Sequence, residues 1–383
     1  MGTFMKGAPL SKADIAAEGT PFILYGELYT TYSEVAYEIQ RKTDKEVEPQ
    51  FYSRIGDVIM PTSGETPEDI ATATCVMTPN VILAGDLLIY RTSAVDGRII
   101  SYAIKNKVNK QIASVAQGKS VVHVRAEELG KVIINYPTKA EQEKIITMLA
   151  LLEKKLVLQK RIIETLKKYK RGLLQQIFSR KLIMTMGDES WEYIPLGEIG
   201  CFFGGLTGKS KEDFDHGDSK FITYMNVYKN TFADETMVTA VDVAPNEKQN
   251  AVQYGDILFT QSSETVEEVG LSSVWVHDAT PYLNSFCMAL RPHSLEKFNP
   301  YYLGYVLRSP KIREAIMKEG QGISRINLAA SRIENIPIPI PPVAVQIKIA
   351  DYLKKWDDRI YANEKTLTEL ISLKKALLQQ LFI

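Results

Sequence analysis

KVIINYPTKAEQEKIITMLALLEKKLVLQKRIIETLKKYKRGLLQQIF (residues 131–178) returns, without a gap, as NIPIPIPPVAVQIKIADYLKKWDDRIYANEKTLTELISLKKALLQQLF (residues 335–382). At this constant offset of 204, Ile134, Pro137, Ala140, Gln142, Lys144, Ile145 and Leu149 match Ile338, Pro341, Ala344, Gln346, Lys348, Ile349 and Leu353. Working outward, Gly56–Asp57 followed by SGETPEDI (63–70) matches Gly255–Asp256 followed by SSETVEEV (262–269) at an offset of 199. The chain therefore holds two copies of one unit, each an irregular domain followed by a long helix.

In the first copy the apolar positions after Pro137 run Ile145, Leu149, Leu152, Leu156, Ile163, Leu166, Leu173, Ile177. The second copy gives Ile349, Leu353, Trp356, Ile360, Leu367, Leu370, Leu377, Leu381. A spacing near 3.5 predicts a coiled-coil seam, on helices of about 60 Å at 1.5 Å per residue. Neither stripe is buried by its own helix. An antiparallel pairing of the two about a pseudo-twofold axis is the expected solution. Both copies interrupt the seam at Gln159 and Asn363, then at Lys170 and Lys374. These are either register-setting polar residues or solvated positions on a helix face.

The domains ahead of the helices read as mixed and mostly β. Expected strands are FILYGEL (22–28), DVIMP (57–61), DLLIYR (86–91) and VVHVR (121–125), with KFITYMNV, DILFTQ, SSVWVH and SFCMALR in the second copy. One helix, begun at Pro300 and ended at Gly320, is expected in FNPYYLGYVLRSPKIREAIMKEG. The fold class is thus α+β, with segments 1–138, 139–180, 186–342 and 343–383 as domain 1, helix 1, domain 2 and helix 2.

Composition removes several functions. The 383 residues carry 46 basic and 46 acidic side chains, so bulk positive charge does not hold a polyanion here. No apolar run approaches the ~20 residues of a bilayer span. Cys75, Cys201 and Cys287 lie far apart, which fits a reducing cytoplasm rather than a disulfide framework. GGLTGKS (204–210) fails as a phosphate loop because Phe203 stands where Gly is needed. His123, His216, His277 and His293 have no metal-ligand spacing, and no dinucleotide fingerprint follows a strand. The Asn/Asp-Pro-Pro-aromatic motif of enzymes that methylate base amino groups is absent. No metal, cofactor or catalytic residue is expected in the chain.

With PTKAEQEKI at 137–145, PPVAVQIKI at 341–349, the paired Gly-Asp strands and SWEYIPLGEIG at 190–200, the sequence resembles the specificity subunits of type I restriction–modification systems. The resemblance covers essentially the whole chain. It implies two target recognition domains, each reading one half of a split double-stranded DNA site, with the helices setting the gap. Two methyltransferase subunits, holding S-adenosylmethionine and modifying adenine, would dock on the chain, and two nuclease–translocase subunits can join them. There are two departures. Val345 replaces the usual Glu of the helix start. The first copy begins at Met1–Gly2, the counterpart of Ile199–Gly200, without a match for WEYIPLGEI; either that edge element is lost or the sequence starts late.

Candidate DNA contacts follow from residue chemistry. The loop Ser63, Gly64, Glu65, Thr66 matches Ser262, Ser263, Glu264, Thr265; small residues admit close backbone approach and Glu accepts from cytosine N4. A second set is Lys119, Ser120 and His123, against Ser324, Arg325 and Asn327. A third is Tyr25, Tyr29 and Thr30, against Tyr224, Asn226 and Lys229, and Lys209 of GGLTGKS is a further candidate. Turns and core aromatics are the ordinary alternatives. A non-DNA adaptor with two heads on a coiled-coil spacer is the competing function.

Overall fold

A computed structural model describes residues 2–116, 122–179 and 191–382. Two compact units emerge: Met1–Lys160 with Lys365–Ile383, and Arg161–Glu364. Each unit thus holds one head and a stretch of both long helices, whereas the sequence reading gave each helix a segment of its own.

In the first unit the main sheet runs in the order Thr3–Lys6, Leu87–Arg91, Asp57–Pro61, Thr74–Val76, Val35–Ala36. A smaller sheet orders Lys42–Thr43, Thr20–Leu24, Ile82–Ala84, the last two parallel. The second unit repeats both: Gly200–Gly204, Cys287–Pro292, Ile257–Thr260, Ser272–Val274, and then Val238–Val241, Phe214–Ile222, Tyr282–Leu283. The repeat seen in sequence is therefore a repeat of topology.

The Gly-Asp motif explains itself in this frame. Gly56 and Gly255 take φ of +93° and +90°, a backbone shape that a Cβ opposes. The aspartate that follows is buried and accepts a forked bond from an arginine on the neighbouring strand. Arg91 Nε and Nη2 each lie 2.9 Å from Asp57 oxygens. Arg291 Nε and Nη2 lie 2.9 and 2.7 Å from Asp256. Each arginine also donates to a carbonyl, Tyr52 or Ala251. The motif is a latch of the sheet.

Lys139–Phe178 and Val343–Leu381 are the long helices. Glu141 starts the first by accepting from the Thr138 N–H at 2.9 Å and its hydroxyl at 2.7 Å, a half-formed capping box. Val345, in the same position of the second, is buried in the core instead. The shared glutamine clamps the helix to its head. Gln142 donates to Pro137 O and accepts from the Asp96 N–H at 3.0 Å. Gln346 donates to Pro341 O and accepts from the Asn299 N–H at 2.8 Å.

Pairing of the helices is antiparallel within each unit, since partner numbers fall as residue numbers rise. In the first unit Leu152, Leu156 and Leu370 share a cluster, and Ile146 and Leu149 meet Leu378 and Phe382. In the second, Lys167 bonds Glu364 at 2.7 Å, Lys170 bonds Asp357, and Tyr169 lies on Trp356 with ring centres 4.7 Å apart. Part of the KKYKR cluster (167–171) therefore faces the other helix. Ile146, not Ile145, is the fully buried residue at the start of the first seam.

Three local expectations change. FILYGEL stops being strand at Leu24, and Glu27–Thr30 is a helical turn; Tyr224–Lys229 does the same after Ile222. The helix after Asn299 is two helices, Pro300–Leu307 and Pro310–Lys318, because Pro310 supplies no N–H to continue the first. A helix at Gly97–Asn106, not foreseen, is the first unit's counterpart of Pro300–Leu307.

Candidate nucleic-acid interface

Two of the three predicted loop sets meet. Ser63 pairs with His123 and Gly64 with Val122 in a two-stranded ribbon. Ser262 pairs with Asn327 and Ser263 with Ile326 in the other unit. Residues 58 or more positions apart in sequence thus form one tip, built twice. Behind each tip a tyrosine holds it. Tyr29 donates to Ser63 O at 3.0 Å, and burial with the nearby Asp69 keeps its hydroxyl protonated well above the ordinary range. Tyr224 shares a 2.6 Å bond with the Ser263 hydroxyl and is likewise raised by burial.

The tip backbone continues into a third strand. The Thr62 N–H bonds Asp86 O at 2.9 Å, and the Val124 N–H bonds Thr62 O at 3.1 Å. The second unit has the same frame with other side chains: Gln261 N–H to Phe286 O at 2.8 Å, Leu328 N–H to Gln261 O at 2.9 Å. Thr62, Asp86, Gln261 and Phe286 were not singled out in the sequence. Their equivalence was within reach, since 62 and 261 directly precede the matched serine loops.

In the first unit this tip lines a cleft of about 1630 Å³ that Tyr25, Thr30, Thr62, Asp86, His123 and Arg125 share. Four cations (Lys6, Lys12, Arg41, Arg125) and four carboxylates (Glu27, Asp86, Glu127, Glu128) also line it, so no bulk positive charge draws a polyanion in. The cleft presents individual donors and acceptors rather than a field of one sign. Glu27 is fixed within it: burial pushes its carboxyl up, while the Leu24 N–H and Arg41, 3.2 Å away, restrain it.

The remaining candidates divide. Glu65, Thr66, Glu264, Thr265 and Ser324 are exposed on or beside the tips. Thr66 uses its hydroxyl to cap a short helix, accepting from the Asp69 N–H at 3.2 Å. Arg325 lies over the half-exposed Phe286 ring, 5.1 Å from its centre. Lys229 is exposed at the end of its helical turn, and the Thr30 hydroxyl donates to Gly26 O at 3.2 Å. Lys209 is tied to Glu247 at 2.6 Å. Asn226 is corrected: it is fully buried, and its amide bonds Asp234 O at 2.7 Å and the Asp234 N–H at 2.8 Å. It is framework, not a base reader. Ser263 is buried as well. Lys119 and Ser120 lie outside the described residues.

Two arginines that no motif announced, the buried Arg313 and the partly buried Arg308, brace the second tip. Arg313 donates to the carbonyls of Gly270, Val269 and Glu267 at 2.6, 3.0 and 3.2 Å, pinning the loop that follows Thr265. Arg308 donates to Val227, Tyr228 and Asn230 carbonyls at the end of the Tyr224 helix. Desolvation pushes both guanidinia down, to about 10; at Arg308 the charge of Arg313 adds to the fall and Asp357 opposes it. Among the described residues no group of side chains has metal-ligand geometry, and no helix is long and apolar enough to cross a membrane.

Comparison with known proteins fits this geometry. Residues 188–372 match the type I restriction modification DNA specificity domain. A putative type I restriction enzyme MjaX specificity subunit from Methanocaldococcus jannaschii is 28% identical over 51% of this chain and 46% of its own. The chain thus spans about half the length of that relative. The MjaVIII specificity subunit of the same organism is 22% identical over 76% of this chain and 70% of its own. The crystal structure of the type I restriction–modification S subunit from M. genitalium shares the fold, with a TM-score of 0.59 over 100% of this chain and 94% of that one, at 18% identity.

Proposed function

We propose that this chain is a type I restriction–modification specificity subunit, the non-catalytic DNA reader of its complex, with each unit reading one half of a bipartite site; the match of residues 188–372 to the specificity domain and the shared fold support this. The long helices set the gap between the halves. Two methyltransferase subunits supply S-adenosylmethionine and methylate adenine in the site, and two nuclease–translocase subunits join them for restriction in the cytoplasm.

The observation that carries this reading is the tip, one backbone frame built twice with different side chains displayed on it: Ser63 with His123, and Ser262 with Asn327. A protein-binding adaptor has no need of two matched frames with divergent polar faces, whereas a reader of two unlike half-sites does. The neutral charge of the chain and the mixed charge of the cleft leave phosphate contacts largely to the methyltransferase partners. The test is binding of the chain with its methyltransferase subunits to genomic fragments at several salt concentrations. Sequence-selective binding that falls steeply with salt is expected. Equal binding to all fragments, or none, contradicts the reading.

A further inference from the structure

The two tips differ most in chemistry at three equivalent positions, and those positions are adjacent in space. Thr62, Asp86 and His123 are held by the Thr62–Asp86 and Val124–Thr62 backbone bonds and by the Ser63–His123 pair. Gln261, Phe286 and Asn327 are held by the same three connections. Asp86, His123, Phe286 and Asn327 are exposed, and Thr62 and Gln261 are partly so. In the first unit all three line the cleft. Backbone that is identical where side chains diverge is what separates positions that specify from positions that support.

We infer that these triplets are specificity-determining residues, the first selecting a G·C pair and the second A·T pairs. This rests on the DNA-reading function proposed above. Asp86 carries only acceptors when ionised, and cytosine N4 is the base-edge donor that an acidic side chain selects. Its own carbonyl is engaged by the Thr62 N–H and by the Thr62 hydroxyl at 3.1 Å, which fixes the residue at the rim. Gln261 and Asn327 bear the amides that pair bidentately with adenine N6 and N7. Phe286, half exposed, offers apolar ring surface to the thymine methyl on the side that Arg325 does not cover.

The experiment measures adenine methylation by the complete complex of this chain and its methyltransferase subunits on DNA libraries randomised across the site. Asp86→Ala is expected to relax one position of one half-site, with the preference for cytosine there falling roughly 5- to 150-fold, the discrimination of one good base contact. The graft T62Q/D86F/H123N is expected to shift that same half towards A·T and leave the other half as it was. Should the graft be inactive, Asp86→Ala decides alone, since an exposed side chain is not needed for folding. Unchanged selectivity in Asp86→Ala overturns the triplet while the DNA-reading function stands. A wild-type complex with no sequence preference at all overturns that function itself.

Discussion

Lys374, on the second long helix, places its ammonium 3.0 Å from Glu34 of the head and 2.5 Å from Glu153 of the first helix. Its repeat counterpart Lys170 pairs with Asp357, the counterpart of Glu153, and lies 5.0 Å from the centre of the Tyr305 ring. The breaks at Lys170 and Lys374 are therefore ion pairs rather than solvated gaps. Removing Lys374 leaves Glu153 without its cation and the buried Glu34 with Lys105 alone. Lys374→Met is expected to cost about 3 kcal/mol. At roughly 2–4 °C per kcal/mol for a unit of this size, thermal unfolding should shift down by about 6–12 °C.

Burial alone would push Glu34 up, but Lys374 and Lys105 beside it hold its carboxyl below the ordinary value. A carboxylate depressed in the folded state stabilises fully above its unfolded pKa of about 4.3. That stabilisation is lost as pH falls through the lower folded value. The gap in urea midpoint between wild type and Glu34→Gln should be constant from pH 5 to pH 8 and shrink below about pH 4. A gap that does not change with pH would show that the carboxylate charge is irrelevant.

Much of this was legible in sequence, and for physical reasons. Burial on a helix repeats with residue spacing, so the seams, their antiparallel solution and the repeat could be read directly. Which acid faces Lys374 depends on register between segments more than 200 residues apart, and no local pattern encodes that. The tip failed to show for the same reason: Asp86 reaches Thr62 across an antiparallel ladder. Asn226 was placed with the first strand and loop as a base-edge candidate, while its amide closes a buried turn. Pro310 was a legible breaker that the apolar run around it obscured.

Arg313 offers a test of how the second tip is held. Arg313→Met removes three donors from buried carbonyls, at about 1 kcal/mol or more each. Hydrogen exchange at residues 264–270 should accelerate, with a stability loss of about 3 kcal/mol. Unaltered exchange would mean that the loop is positioned by its own turns.

The buried glutamine in the first turn of each long helix should matter to stability. Gln346 is 1% exposed and also bonds Lys297 O at 3.0 Å. Gln346→Ala is expected to cost about 2–3 kcal/mol, and Gln346→Glu more, because it loses both donors and sets a charge against two carbonyls. If Gln346→Glu unfolds no earlier than Gln346→Ala, the donated bonds are not what the residue provides.

In the second unit Glu192–Pro195 pairs with Pro337–Ile340, and Ile338 is fully buried. Among the described residues no strand pairs with the first unit's counterpart, 133–136, where Ile133 is 75% exposed. Fusing a copy of residues 191–199 ahead of Gly2 should protect the amides of 133–136 from exchange and raise the thermal midpoint. Fast exchange at those amides in the fusion would mean that the first unit has no place for that strand.

The most direct measurement of the central claim is a methylome. Residues 186–334 are replaced by the corresponding head of another specificity subunit, and methylated adenines are mapped in cells carrying the chimaera with its methyltransferase partner. One half of the bipartite site should change to the donor's half while the other half stays as in wild type. A site in which both halves change together, or neither does, would contradict the assignment of one half-site to each unit.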